Sequence, residues 1–251
     1  MIVATWNVNG IRARAQEVIA WSGRLGADVV CLQEIKAAPD QIEDALFLFP
    51  EYTSFWHGQK GGYSGVSIHL KKSTFPEVRF SHPEFDHETR MVEAHAGGVT
   101  FASIYVPNGG KDFPAKMDFL DALVLHVKGA RSRGEPMVLC GDMNVARAEV
   151  DVHPSQRNPQ TIGQLPSERK LFEDLLAAGL VDSTRALDPA SDRLFTWWPY
   201  WRNARQKNIG WRLDYVLASP ELVPQTSTIE RETGSSDHGP LVVSLADSRQ
   251  K

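Results

Sequence analysis

Cysteine is nearly absent from this 251-residue chain, with Cys31 and Cys140 the only two. Two thiols make no disulfide framework, and both sit inside apolar strand-like runs, where cysteine behaves as a small buried hydrophobe. Both are therefore expected to be reduced and structural. No hydrophobic run approaches membrane-spanning length, and the chain enters a strand pattern at Met1-Ile2-Val3 with no cationic or long apolar leader. These absences predict a soluble, cytoplasmic protein with no membrane partner, nucleoid-associated if the source is bacterial. Excess positive charge is missing too: 27 Lys and Arg stand against 31 Asp and Glu, a net charge of -4. That balance argues against a sequence-independent DNA coater, which relies on many Lys and Arg contacts to phosphate. No repeat, low-complexity tract or linker divides the chain, so residues 1–251 are expected to form one domain.

What the chain does have is a set of short apolar, β-branched runs that end in acids or amides. Ile2-Val3-Ala4-Thr5-Trp6 leads into Asn7 and Asn9, and Val29-Val30-Cys31-Leu32-Gln33 leads into Glu34. Ala102-Ser103-Ile104 leads into Tyr105 and Asn108, and Met137-Val138-Leu139-Cys140-Gly141 into Asp142 and Asn144. Trp211-Arg212-Leu213 runs into Asp214, while Asp237-His238 opens the run Leu241–Leu245. One such ending only marks where burial stops. Six together gather acids, amides and one imidazole along a single sheet edge. Hard oxygen donors with one imidazole suit Mg²⁺ or Mn²⁺ and phosphoester chemistry.

A second feature is local. Arg202, Arg205, Lys207 and Arg212 fall in a stretch from Trp201 to Leu213 that contains no acid, beside Trp197, Trp198, Tyr200, Trp201 and Trp211. Large rings interleaved with cations form the composition expected of a loop that approaches a nucleic-acid backbone and a displaced sugar or base.

The periodicities predict helices at about 14–25, 113–133 and 167–178, with Ser167 as N-cap and Gly179 past the end of the last. A short helix is expected after Pro39 through Ile42 and Leu46. Strands are expected at 52–56, 66–70, 91–96 and 99–106, the last two joined by a Gly97-Gly98 hairpin turn. The polar, proline-containing stretch from Val145 to Pro166 is too long to be an idle connector. Hairpins among the strands exclude an all-parallel sheet, leaving helices over mixed, largely antiparallel sheets.

Seven blocks then carry a family resemblance. Trp6–Arg12, Leu32–Lys36, Gly62–Gly65, Tyr105–Asn108, Gly141–Ala146, Lys207–Tyr215 and Ser236–His238 resemble the exonuclease III and abasic-site endonuclease family of the endonuclease-exonuclease-phosphatase superfamily. The blocks run from the first strand to the last. The resemblance implies a four-layer α/β sandwich, two mixed and mostly antiparallel sheets flanked by helices. It also implies an Mg²⁺- or Mn²⁺-dependent nuclease that cuts DNA 5′ to abasic sites and removes 3′ blocking groups or nucleotides. The partner implied is double-stranded DNA with abasic sites or blocked 3′ ends, met by a monomer.

Beside the resemblance, phosphodiester hydrolysis needs an activated water, neutralised phosphoryl charge and help for the leaving oxygen. Glu34 is expected to anchor the cation, with Asn7 and Asp237 completing a partly hydrated shell. Asp142 is expected to orient or deprotonate water, Asn144 and Tyr105 to contact the phosphate, and His238, held by Asp214, to donate to a phosphoryl oxygen. The base is open among Asp142, ionised Tyr105 and metal-bound water, and a second ion at Asp142, Asn144 and His238 is a further alternative. By resemblance, Trp197, Trp211 and Leu213 build a pocket for a flipped baseless sugar. Tyr63, Asn108, Lys111, Asn203 and Arg205 are backbone-contact candidates, and Trp201 a wedge into the duplex. Two rival readings share part of these motifs: a non-catalytic RNA-binding regulator, and a phosphatase or phospholipase of the superfamily. The first has no reason to keep a full set of metal and catalytic positions, and the second no need of the tryptophan-rich basic segment.

Overall fold

The computed structural model describes residues 1–42 and 48–249. Its strands, in chain order, are β1 (Ile2–Asn7), β2 (Val29–Gln33), β3 (Tyr52–His57), β4 (Val66–Lys71), β5 (Arg79–Ser81), β6 (Met91–Ala96), β7 (Val99–Tyr105), β8 (Met137–Asp142), β9 (Val181–Asp182), β10 (Asp214–Ala218), β11 (Leu222–Ile229) and β12 (Leu241–Asp247). They form two six-stranded sheets, ordered β11-β12-β1-β2-β4-β3 and β5-β6-β7-β8-β10-β9. Each sheet has one parallel pair at its centre, β1–β2 and β7–β8. The neighbouring pairs are antiparallel, including β6–β7, joined through Gly97 and Gly98 as expected.

Helix α1 (Ile11–Leu25) covers the outer face of the first sheet, while α2 (Phe113–Ser132) and α3 (Pro166–Ala177) cover the second; α4 (Ser183–Leu187) is short. The four layers follow from alternation along the strands. In β1, Val3 packs between the sheets and Ala4 under α1; in β8, Val138 and Cys140 point inward and Leu139 outward under α2 and α3. Cys31 and Cys140 are both free and fully buried in the inter-sheet layer.

Two helix starts differ from the sequence expectations. Helix α1 starts at Ile11, not near Arg14, because the N–H groups of Gly10 and Ile11 bond to the carbonyls of Glu34 and Ile35, docking the helix start onto the loop after β2. Ser167 is not an N-cap. Pro166 takes the first helical position instead, and the Glu168 carboxylate accepts from the N–H groups of Leu165 and Gly163 at 3.0 and 2.7 Å. After Pro39 the chain makes a 3₁₀ turn, Pro39–Gln41, and the expected continuation to Leu46 lies outside the described residues. The long stretch after Val145 is structured by two more 3₁₀ turns, Glu149–Asp151 and Pro154–Gln156.

Inner-face residues change character along the strands. Val3, Thr5 and Asn7 succeed one another on β1; Val29, Cys31 and Gln33 on β2; Phe101, Ser103 and Tyr105 on β7; and Val138, Cys140 and Asp142 on β8. The apolar end forms the core. The middle is a satisfied polar layer: Thr5 Oγ1 donates to Gln33 Oε1 at 3.0 Å, and Gln33 Nε2 to Ser103 Oγ at 3.1 Å. The far end presents ionisable groups.

On β4, His69 is wholly buried, stacked on Phe49 with ring centroids 3.8 Å apart and hydrogen-bonded to Ser67 and Ser54. Burial pulls its pKa down to about 3 from an ordinary 6.5. The unfolded chain thus takes up a proton below about pH 6.5 that the folded chain refuses until about pH 3, so stability falls as pH drops through this window. At pH 4 the loss from this ring is on the order of 3 kcal/mol. Urea midpoints at pH 7 and pH 4 are expected to separate less in His69→Gln than in the parent; an equal separation would remove His69 from the acid response.

Candidate active site

The parallel pairs bring their C-terminal ends to one edge of the sandwich. Antiparallel β10 and β12 begin at that same edge, so Asn7, Glu34, Tyr105, Asp142, Asp214 and His238 converge from six strands. Asp214 is paired directly with Asp142 across β10–β8. Gly141 makes the close approach of β8 to β7 feasible: a Cβ there would lie 2.0 Å from the Ile104 carbonyl oxygen, and its φ is +143°.

Asn7 is the hub. Its Nδ2 donates to Glu34 Oε1 and to Asp142 Oδ2, both at 2.9 Å, and lies 3.4 Å from His238 Nε2. Asp214 Oδ2 accepts from His238 Nδ1 at 2.8 Å, which turns Nε2 toward Asp142 Oδ2, 3.8 Å away. Thr196 Oγ1 accepts from the N–H groups of Leu213 and Asp214, fixing the start of β10. Asn144 donates its backbone N–H to Asp142 Oδ1 at 2.8 Å; its side-chain amide donates to the Val106 carbonyl and accepts from Asn108.

These surroundings set the charges. Burial raises the Asp142 carboxyl well above its ordinary value, reinforced by Asp214 and Glu34 and opposed by His238. Burial alone would lower His238, but Asp214 and Asp142 outweigh it and push the imidazole up to about 10. Glu34 is lowered despite burial, because Asn7 and Lys36 stabilise its charge. Burial, with the charges of Glu34 and Asp142, pushes the Tyr105 phenol upward, which makes ionised Tyr105 the poorest base of the three candidates.

Glu34, Asp142 and His238 offer ligand atoms within 4.8 Å of one another. Two oxygen donors and one imidazole fit a divalent cation in type. Glu34 and Asp142 are the oxygen donors of this trio and His238 its nitrogen donor. Asp237 stands apart from this trio: its Oδ1 accepts from Asn9 Nδ2 at 2.9 Å and its Oδ2 from Trp197 Nε1 at 3.1 Å.

A cavity of about 350 Å³ opens onto the trio, walled opposite by Ile162, Trp197, Trp211 and Leu213. The two indoles meet edge to face with centroids 5.6 Å apart, and their backbones form a bridge that a Cβ on Gly210, 2.2 Å from the Trp197 carbonyl oxygen, would block. Trp211 Nε1 donates to Gln156 Oε1 at 2.7 Å, which gives the 3₁₀ turn there its part in the wall. Asn108 lines the cavity and is exposed, and Tyr63, Lys111, Trp201 and Asn203 are exposed as well.

Part of the expected basic footprint is spent on structure. Arg212 is buried and forks onto Asp151 and Asp182, and Arg205 donates to the carbonyls of Arg231, Thr233 and Ser236 while stacking on buried Trp198. The placement of Arg205 as a backbone contact is corrected accordingly, leaving Arg202 and Lys207 as the exposed cations of that stretch. Four further residues belong to the site. Asn9 and Lys36 lie inside motif blocks and bond to Asp237 and Glu34. Thr196 and Arg90 carry no sequence signal. Buried Arg90 donates to Tyr63 Oη at 2.7 Å and lies 5.0 Å from the Tyr105 ring centre.

The model of the Endonuclease/Exonuclease/phosphatase family matches residues 4–238. The chain is 36% identical to the DNA repair nuclease APEX1 of Danio rerio over 98% of this chain and 82% of that protein. It is 33% identical to the exodeoxyribonuclease of Bacillus subtilis over 96% of this chain and 98% of that one. Among solved structures, the 3′ phosphatase NExo from Neisseria bound to product DNA hairpin matches with a TM-score of 0.88 at 30% identity, covering 98% of this chain and 99% of that one. The chain belongs to the endonuclease-exonuclease-phosphatase family. Within it, the protein is a hydrolytic DNA repair nuclease of the exonuclease III and abasic-site endonuclease type.

Asp142→Asn removes a charge and a proton acceptor with little change in volume. Turnover on nicked or abasic duplex is expected to fall at least about a hundredfold while binding, read by fluorescence anisotropy, stays within a few fold. Equal losses in both would make Asp142 a scaffold residue.

Proposed function

We propose that this protein hydrolyses the DNA phosphodiester 5′ to abasic sites and also removes 3′ phosphates and nucleotides from duplex ends, as a cytoplasmic monomer using Mg²⁺ or Mn²⁺. The observation that carries the reading is the continuity of two surfaces: the Glu34–Asp142–His238 trio and the Trp197–Trp211–Leu213 wall border one small cavity. Glu34 and Asp142, with Asn7 beside them, would hold the divalent cation, which would supply neutralising charge to the scissile phosphate.

The chain's own groups do the rest. Asp142, kept near neutrality by burial and restrained by the Asn144 N–H, orients the attacking water and takes its proton. His238, charged by Asp214, donates to a non-bridging oxygen, and the un-ionised Tyr105 phenol donates to the same phosphate. Asp237 holds the Trp197 edge, which ties pocket shape to the catalytic edge. The apolar wall accepts a baseless sugar and excludes an intact nucleotide by bulk. Tyr63, Asn108, Lys111 and Asn203 track the phosphate backbone from the rim, and Trp201 inserts into the duplex. A second ion at Asp142, Asn144 and His238 requires a neutral imidazole, which Asp214 disfavours.

Truncating either pocket tryptophan tests the reading. Trp211→Ala or Trp197→Ala is expected to shift the kcat/KM ratio of abasic over undamaged duplex by tenfold or more toward the undamaged one, while 3′-phosphate release, which needs no flipped sugar, loses less. EDTA should abolish all three activities. An unchanged ratio in folded variants would assign the tryptophans to packing and leave the abasic preference without a structural basis.

A further inference from the structure

At the same edge of the first sheet, two strands out from β2 and Glu34, lies another group with metal-ligand chemistry. His57 ends β3, the outermost strand of its sheet; His82 and Asp86 sit in the loop between β5 and β6, at the outer end of the other sheet. The three offer ligand atoms within 4.8 Å of one another. His57 Nε2 lies 2.5 Å from Asp86 Oδ2, and the His57 and His82 rings face each other with centroids 4.9 Å apart at 20°. The Asp86 carboxylate is fully shielded from solvent, and its Oδ1 accepts from the Arg90 N–H at 2.7 Å.

This is a built arrangement, not a chance surface cluster. The buried carboxylate is aimed by a backbone N–H, as an outer partner aims a metal ligand, and exposed His82 leaves an entry route. Two imidazoles and one carboxylate favour Zn²⁺ and its neighbours over Mg²⁺, which prefers oxygen donors and retained water. The spacing between His57 and Asp86 needs to open by under about 1 Å to reach the ligand separations of a tetrahedral zinc site.

We propose that His57, His82 and Asp86 form a separate transition-metal site that clips the two sheets together at their outer edge. Water completes the coordination. The clip joins two segments that meet again nearby. His57 precedes the loop bearing Tyr63, Asp86 precedes Arg90, and Arg90 bonds to Tyr63. Occupancy therefore stiffens the junction beside the cleft.

The test uses untagged full-length protein freed of metal and then supplied with millimolar Mg²⁺, titrated with Co²⁺ and followed by visible d–d absorption. One tight equivalent is expected in the parent and in Glu34→Gln. Affinity should weaken at least tenfold in His82→Ala, whose exposed side chain is dispensable for folding, and in His57→Gln. Zn²⁺ at about a hundredfold excess over the parent Kd should raise the parent Tm by roughly 5 °C and that of His82→Ala by about half as much or less. Undiminished Co²⁺ binding in His82→Ala, or its loss in Glu34→Gln alone, would place the metal at the catalytic trio and overturn the proposal.

Discussion

The structure turns on a buried charge array. Asp142, Asp214, Glu34 and His238 occupy one edge between two sheets, where an isolated carboxylate is costly to keep ionised. One imidazole shared by two aspartates makes the array tolerable, because a cationic His238 offsets part of their mutual repulsion. The arrangement is forced by backbone register: Asp214 lies opposite Asp142, and the bridge from Trp197 to His238 sets the imidazole between them. Free energy otherwise available for stability is invested in a site poised to handle a phosphate and a proton.

Buried ion pairs brace that edge from behind. Arg212 forks onto Asp151 and Asp182 and so anchors the strand that begins at Asp214. Lys116 on α2 pairs with Glu168 on α3 at 2.5 Å and donates to the Asn144 carbonyl, pinning the loop after Asp142 from behind. Removing one partner of such a pair costs about 3–5 kcal/mol. The positions of Asp142 and Asn144 thus depend on helices that never face the cleft.

Much of this was legible in the sequence, for a physical reason. Side chains alternate along strands, so Val138-Leu139-Cys140-Gly141-Asp142 states both burial and the side on which its acid emerges, and the seven motif blocks added fold and family. What escaped notice were interactions between distant segments. Arg212 and Arg205 read as free cations because nothing local marks Asp151, Asp182 or the carbonyls of residues 231–236 as their partners. Arg90 and Thr196 act by holding Tyr63, Tyr105 and the start of β10, roles set by packing alone. Ser167 misled because proline at the preceding position and Glu168 offered a better helix start. Asp237, expected beside Glu34, lines the same cavity and there also accepts from Asn9 and the Trp197 indole.

The chemistry of this edge requires that Asp214 and Asp142 keep His238 cationic at working pH. That charge is measured directly by following the His238 Cε1–H resonance of metal-free protein through a pH titration, with assignment by His238→Gln. The account predicts an imidazole still protonated at pH 8, titrating near pH 10, with a clear downward shift in Asp214→Asn. A ring that loses its proton below pH 7, or one indifferent to Asp214→Asn, would contradict it.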